Sequence, residues 1–287
     1  MKRNKRLLRL AGPVLGILLM ASACKKNNSN SNTAVTAPKV QVMSNSKFGN
    51  ILTDSAGHTL YFFSHDANGN SDCYGNCAVA WPPFYSAALT LSTGLNSSDF
   101  GTTSRTDGKM QTTYKGWPLY YFSQDSTAGS VKGDPIENVW FVAKPDYSVM
   151  LASTQLVGED KMNYIKSNNQ IIAGTGVTQY LTDAYGRTLY LFSHDSSLEN
   201  KFTTPNFSDN GVWPIDTVSN VNTVPSILAK SQFTTLPVYG MTQFACKGWP
   251  LYYFSGDSSI RGNTRGVSVP KPGVWPILND STFNAPM

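Results

Sequence analysis

One eight-residue pattern occurs four times along this chain, and it limits the possible folds more than any other feature. The copies are TLYFFSHD (59–66), PLYYFSQD (118–125), TLYLFSHD (188–195) and PLYYFSGD (250–257). Each reads Leu-Tyr-x-Phe-Ser-x-Asp. Trp81, Trp140, Trp213 and Trp275 follow Tyr61, Tyr120, Tyr190 and Tyr252 at spacings of 20, 20, 23 and 23 residues. Such self-similarity marks a chain assembled from repeated supersecondary units.

The copies are of two kinds. LTDSAG (52–57) and LTDAYG (181–186) precede the first and third, whereas Lys115-Gly116-Trp117 and Lys247-Gly248-Trp249 precede the second and fourth. This alternation predicts a two-repeat domain that was duplicated, with domains at 39–151 and 170–287. The polar stretch 152–169 reads as a linker with a short helical turn. The Asp-x-x-Gly segments have turn chemistry, because Asp accepts hydrogen bonds from its own turn and Gly takes positive φ. β-prone runs flank them, so each is a hairpin signal, and Lys-Gly serves similarly in the other two copies.

In the motif strand, Leu60 and Phe62 face one way and Tyr61 and Phe63 the other. Both faces are apolar, as in a strand covered on both sides. Long amphipathic helical patterns are missing. The expected fold is mainly β: two tandem, similar β domains, each built from two hairpin-containing repeats in sandwich-like or layered antiparallel sheets. The motif residues are read as structural. Tyr61, Phe63, Tyr120, Phe122, Tyr190, Phe192, Tyr252 and Phe254 would fill the core. Asp66, Asp125, Asp195 and Asp257 would cap the turn where each strand enters a loop.

The N-terminus has its own logic. Lys2, Arg3, Lys5, Arg6 and Arg9 precede an apolar run from Leu10 to Met20, and Ala21-Ser22-Ala23 leads to Cys24. A basic region, a short apolar region and small residues define a secretory signal. Cys24 directly after them resembles a lipobox, so 1–23 is expected to be removed and Cys24 lipidated. Residues 24–38 are too polar to bury a core and read as a flexible tether. Lys25, where an Asp would resemble an inner-membrane retention signal, favours the outer membrane or the cell surface, with the membrane as partner through the Cys24 lipid.

The signal segment also distorts the charge. It holds five of the 23 basic residues and none of the 18 acidic ones, which leaves 18 of each. Without a basic excess, nucleic acid is excluded as a partner. Charged residues make up 14% of the chain and aromatics 12%, against a usual charged share of ~25%; this composition suits a secreted β protein.

LTDSAGHTLYFFSHD (52–66), CYGNCAVAWPP (73–83) and DGKMQTTYKGWPLYYFSQD (107–125), with weaker copies in the second half, resemble the bacterial secreted-repeat lipoproteins described by a Tyr-x-(aromatic)-x-x-Asp motif. The resemblance covers most of 48–145 and, less fully, 175–276. It implies repeats of unknown role, and no catalytic residue carries over from it.

Few residues invite a site. Cys73 and Cys77, in an exported chain, are expected to form a disulfide, and Cys246 to be a buried free thiol. A copper or redox site would draw on Cys73, Cys77, His65, Asp66 and His58 as ligands. Asp66-Ala67-Asn68-Gly69-Asn70-Ser71-Asp72 alternates oxygen ligands like a calcium loop, but Ser71 and Cys77 stand where the motif wants Gly and Glu. Recognised nucleophile, zinc, phosphate-loop and dinucleotide motifs are missing. The expected function is a non-enzymatic cell-envelope module, without a cofactor, that binds a surface glycan or protein or serves a structural role. The alternative is a metal-binding or redox accessory protein using Cys73 and Cys77.

Overall fold

The computed structural model describes residues 39–287. The signal segment, Cys24 and the tether lie outside them. In the first half, β1 (Lys39–Asn45) and β2 (Gly49–Thr53) form an antiparallel hairpin with Gln41 opposite Thr53. β3 (Tyr61–Phe63) is the motif strand and runs into a 3-10 turn, Ser64–Asp66. A short helix, α1 (Asn76–Ala80), and β4 (Thr90–Leu91) follow, and β4 pairs in parallel with the start of β1. Then come β5 (Phe100–Ser104), β6 (Met110–Tyr114), β7 (Trp117–Tyr120) and β8 (Trp140–Val142), giving a five-stranded sheet ordered β5-β6-β7-β3-β8. The fold is mainly β, with several small antiparallel sheets.

Residues 152–169 do not form the linker with a helical turn that their polarity suggests. β9 (Met150–Thr154) pairs antiparallel with β13 (Thr178–Thr182). β13 carries the second Leu-Thr-Asp turn, so β9 and β13 repeat the β1–β2 pair across the expected boundary at 151. In place of a tight turn, the chain between them forms a sheet of β10 (Leu156–Val157), β11 (Asn163–Ser167) and β12 (Gln170–Ala173). This insert buries Tyr164 and Ile171 and leaves Asn163, Gln170 and Ile172 exposed, and Lys166 shares the inner face with Tyr164, its ammonium donating to Ile277 O and Thr282, so polar residues on both faces conceal the strand pattern. β14 (Phe233–Val238), β15 (Met241–Cys246) and β16 (Trp249–Pro250) complete the second half.

The turns form as their residues dictate. Asp54 Oδ1 accepts from the amides of Ala56 and His58, and Asp183 Oδ1 from those of Tyr185 and Arg187. Lys115-Gly116 and Lys247-Gly248 have positive φ at both positions and close two-residue hairpins, the backbone shape that matches strand twist.

Leu60, Tyr61, Phe62 and Phe63 are all buried. Phe62 enters a core that also contains Trp117, Phe141, Tyr180, Leu189 and Trp275, whereas Tyr61 and Phe63 fill a first-half core with Trp81 and Trp140. The two halves are therefore packed into one compact body over the described residues. Arg261 pins them together. Its guanidinium lies 4.6 Å from the Trp117 ring, and it donates from Nε to Ala67 O (2.7 Å) and from Nη1 to Lys115 O (3.1 Å).

Candidate functional site

In each half the two motif strands lie side by side. Tyr61 is opposite Tyr120 in an antiparallel pair, and Tyr190 is opposite Tyr252. Each strand then runs past its neighbour's tyrosine, so the aspartate that ends one motif reaches the hydroxyl of the other. Tyr61 donates to Asp125 Oδ2 (2.5 Å) and Tyr120 to Asp66 Oδ2 (2.6 Å). In the second half, Tyr190 donates to Asp257 Oδ2 (2.7 Å) and Tyr252 to Asp195 Oδ2 (2.8 Å).

The other carboxylate oxygen caps the following loop, as the sequence predicts. It accepts from the amides of Asp72, Lys132, Lys201 and Arg265 in the four copies. The exchange of partners between repeats is not foreseeable from spacing alone. Burial pushes Asp66 up to about 7 against the opposing pull of the Tyr120 hydrogen bond, and it raises Asp257 to about 7 and Asp195 to about 6. All four tyrosines are held well above their usual range, first by burial and then by the carboxylate beside them.

The tryptophans also meet across repeats. Trp81 and Trp140 stack at 3.9 Å between ring centroids and 2° between planes, and Trp213 and Trp275 at 3.8 Å and 8°. Motif phenylalanines extend both stacks. Phe122, Trp81, Trp140, Phe63 and His65 form one column, with neighbouring centroids 4.3, 3.9, 4.1 and 4.6 Å apart. Phe254, Trp213, Trp275, Phe192 and His194 form the other. The tyrosines meet the tryptophans edge-on, with Tyr61 5.3 Å from Trp81 and Tyr120 5.1 Å from Trp140, a geometry that the ring quadrupoles favour.

Beside each column opens a cleft, and the two are equivalent in position. The first, about 410 Å³, is lined by Asp54, His58, Thr59, Tyr121, Phe122 and Ser123. The second, about 240 Å³, is lined by Arg187, Thr188, Tyr253, Phe254, Ser255 and Ile260. In the first, His58 Nδ1 lies 3.0 Å from Asp54 Oδ2, which also accepts from the Tyr121 hydroxyl (3.1 Å). In the second, Arg187 Nε donates to Asp183 Oδ2 (2.6 Å), and its guanidinium lies 4.3 Å from the Tyr253 ring. Beneath the tyrosines, Phe84 of the first half is replaced by Asp216: the amide of each donates to the equivalent carbonyl, Leu119 O or Leu251 O. The equivalence of the clefts is traceable in the LTD-x-x-G signal, but their position is not.

Cys73 and Cys77 form a disulfide with Cα atoms 5.3 Å apart, so their sulfurs are tied to each other and offer no thiolate. His65 is half-buried against Phe63, and Asp66 is occupied by Tyr120 and Asp72. His58 pairs with Asp54 in the first cleft. The ligands considered for copper are therefore not brought together, and among the described residues no group of three His, Cys, Asp or Glu is placed to hold a metal ion. The Asp66–Asp72 segment is turned inward at Asp66 and does not array its oxygens round a calcium. Cys246 is a buried free thiol that burial pushes up to about 12.

Comparison with curated proteins and with solved structures returned no match. A family model described as a secreted repeat of unknown function matches residues 42–85 and 101–144. Each match spans one unit from its hairpin through its motif to its tryptophan. The family is one of secreted repeats, which places the chain among exported proteins. Residues 42–85 and 101–144 are thus each similar to the secreted repeat of unknown function that the family model describes.

Proposed function

We propose that the protein is a non-catalytic binding module of the cell envelope, held at the outer membrane or cell surface by a lipid on Cys24, and that its two equivalent clefts receive a surface glycan. The observation that carries this reading is the division of labour within each repeat. The motif tyrosines and tryptophans are consumed inside the protein, and the motif aspartates are held by the tyrosines, with Asp125 and Asp257 also reaching the cleft walls. Of the side chains that differ between halves, His58 and its counterpart Arg187 line the clefts, and Phe84 and its counterpart Asp216 lie buried beneath them. A partly open tyrosine, hydroxyl groups and an oriented carboxylate are the donor and acceptor set that suits sugar hydroxyls.

An array of envelope polysaccharides and peptidoglycan fragments tests it, with wild type against Tyr121→Ala and Tyr253→Ala. Retained glycan that each variant weakens is the expected result. No glycan retained, or retention indifferent to both variants, rejects the reading. Labelling with radioactive palmitate, lost in Cys24→Ser, tests the anchor separately.

A further inference from the structure

The aromatic columns are more ordered than core filling requires. In each half two tryptophans stack with nearly parallel planes at van der Waals contact, a tyrosine stands edge-on to each, and each tyrosine donates to a buried or half-buried carboxylate. Tryptophan and tyrosine are the side chains most readily oxidised by one electron. A stacked indole pair spreads the resulting positive charge over two rings. A phenol loses an electron much more easily when a base takes its proton in the same step, and here the base is within hydrogen-bond reach, as proton transfer demands. The first column also reaches outward, since His65 stacks on Phe63 and is only half-buried.

We propose that each column is a one-electron relay, in which an oxidant at the protein surface withdraws an electron through the stacked tryptophans and the charge comes to rest as a neutral tyrosyl radical whose proton has passed to the cross-repeat aspartate. For the pair Tyr120–Asp66, an oxidised one-electron acceptor, such as a trivalent metal complex, gains one electron. The Tyr120 O–H bond breaks, and its proton forms an O–H bond with Asp66 Oδ2. A one-electron donor of the ascorbate class returns the electron, and Asp66 returns the proton to the phenolate oxygen, restoring the starting state. Asp66, with a titration point near neutrality, is suited to hold that proton briefly and release it. Ser71 Oγ, 2.7 Å from the Tyr120 oxygen, stays hydrogen-bonded to it through the cycle and is itself held by Arg105 Nη1. Asp125 and Phe122 also border the first cleft and Asp257 and Phe254 the second, but Tyr120 and Asp66 border neither, so the Tyr120–Asp66 step is tested apart from glycan binding.

The test is photochemical oxidation of the full exported chain by ruthenium(III) tris-bipyridine generated with a light flash, followed by freeze-trapping and electron paramagnetic resonance. The expected signal is a tyrosyl radical with a strong hydrogen bond and slow exchange in D₂O. It should be depleted in Tyr120→Phe and Tyr61→Phe, and its formation slowed in Asp66→Asn. A radical confined to the exposed Tyr85, Tyr185 and Tyr239, with fast exchange, overturns the proposal, as does a tryptophan radical that never passes to tyrosine. The exchange measurement needs only the wild-type protein, so a variant that fails to fold leaves the decision intact.

Discussion

Tyr120→Phe removes one oxygen from the centre of the first half and measures the cross-repeat bond directly. The hydroxyl donates to Asp66, which is fully buried and keeps only the Asp72 amide as a second donor. A hydrogen bond to a charged group contributes about 1.5–3 kcal/mol, so the expected loss at pH 8 is about 2 kcal/mol. For a chain of this size that lowers the thermal midpoint by roughly 4–8 °C. At pH 5 the Asp66 carboxyl is protonated, the bond is an ordinary neutral one, and the loss should shrink to about 1 kcal/mol.

The sharper measurement is a double-mutant cycle in urea. Tyr120→Phe with Asp66→Asn should couple by 1 kcal/mol or more, in the usual range of about 0.5–3 for groups in contact, whereas Tyr61→Phe with Asp66→Asn, a tyrosine and aspartate of the same repeat, should add within about 0.5. Coupling within the repeat that equals or exceeds coupling across it would refute the exchanged pairing.

Three further outcomes are expected. Gly133 and Gly266 occupy equivalent places, where a Cβ would lie 2.7 Å from Trp81 and 2.8 Å from Trp213 respectively; either residue changed to Ala should cost about 1–3 kcal/mol by overpacking, read from urea midpoints. Asp66, Asp195, Asp216 and Asp257 are all raised by burial from 3.8 to about 6 or 7. The folded state therefore keeps protons that the unfolded chain releases between pH 4 and 7, so stability should fall as pH rises through that window, on the order of 3–4 kcal/mol per carboxyl. A thermal midpoint that is flat or rising from pH 5 to 7 would contradict this; His65, held by burial below its usual range, opposes the fall by a single group inside the window, and Lys166, lowered to about 8, acts only above it. Cys73→Ser with Cys77→Ser closes no loop but loses little, ~1–2 kcal/mol, because the bridge spans a sequence separation of 4 and short loops restrict the unfolded chain least; a folded double variant by circular dichroism is the check.

What could be read beforehand divides along physical lines. The repeats, their hairpin turns and the burial of both faces of the motif strand follow from local chemistry, since Asp54, Gly57 and the Leu60–Phe63 alternation act within a few residues. The disulfide follows from an oxidising destination and a short spacing. The Tyr120–Asp66 and Trp81–Trp140 contacts do not, because they depend on which strand lies beside which. The motif gives each copy the same tyrosine and aspartate without saying whose hydroxyl meets whose carboxylate. The strands at 150–173 were hidden for a different reason: an insert with one thin buried face, Tyr164 and Ile171, has too little apolar alternation to stand out from Asn, Lys and Ser. The clefts arise only where Tyr121 and Tyr253 are juxtaposed with turns more than 60 residues upstream.

The exchanged contacts also explain why the repeats come in pairs. A single repeat would bury its tyrosine with no carboxylate and its carboxylate with no phenol, and an unpaired buried polar group costs several times what a made hydrogen bond contributes. Its tryptophan would lack the facing ring. The smallest unit that satisfies itself is one repeat of each kind, and that pair is what appears twice. Phe62, Trp117 and Phe141 pack on one another and join a core that continues into Tyr180 and Leu189 of the second half, with Trp117 donating across to Ala184 O, so the second pair completes their burial. Inside the pair little can vary without stranding a partner. At the β9–β13 connection a whole sheet could be inserted, since lengthening a loop is cheap and the columns are not touched. Around the clefts His58 could become Arg187 while the carboxylate contact was kept. The interior thus holds the architecture constant, and the cleft rims are the places where the two halves were free to acquire different chemistry.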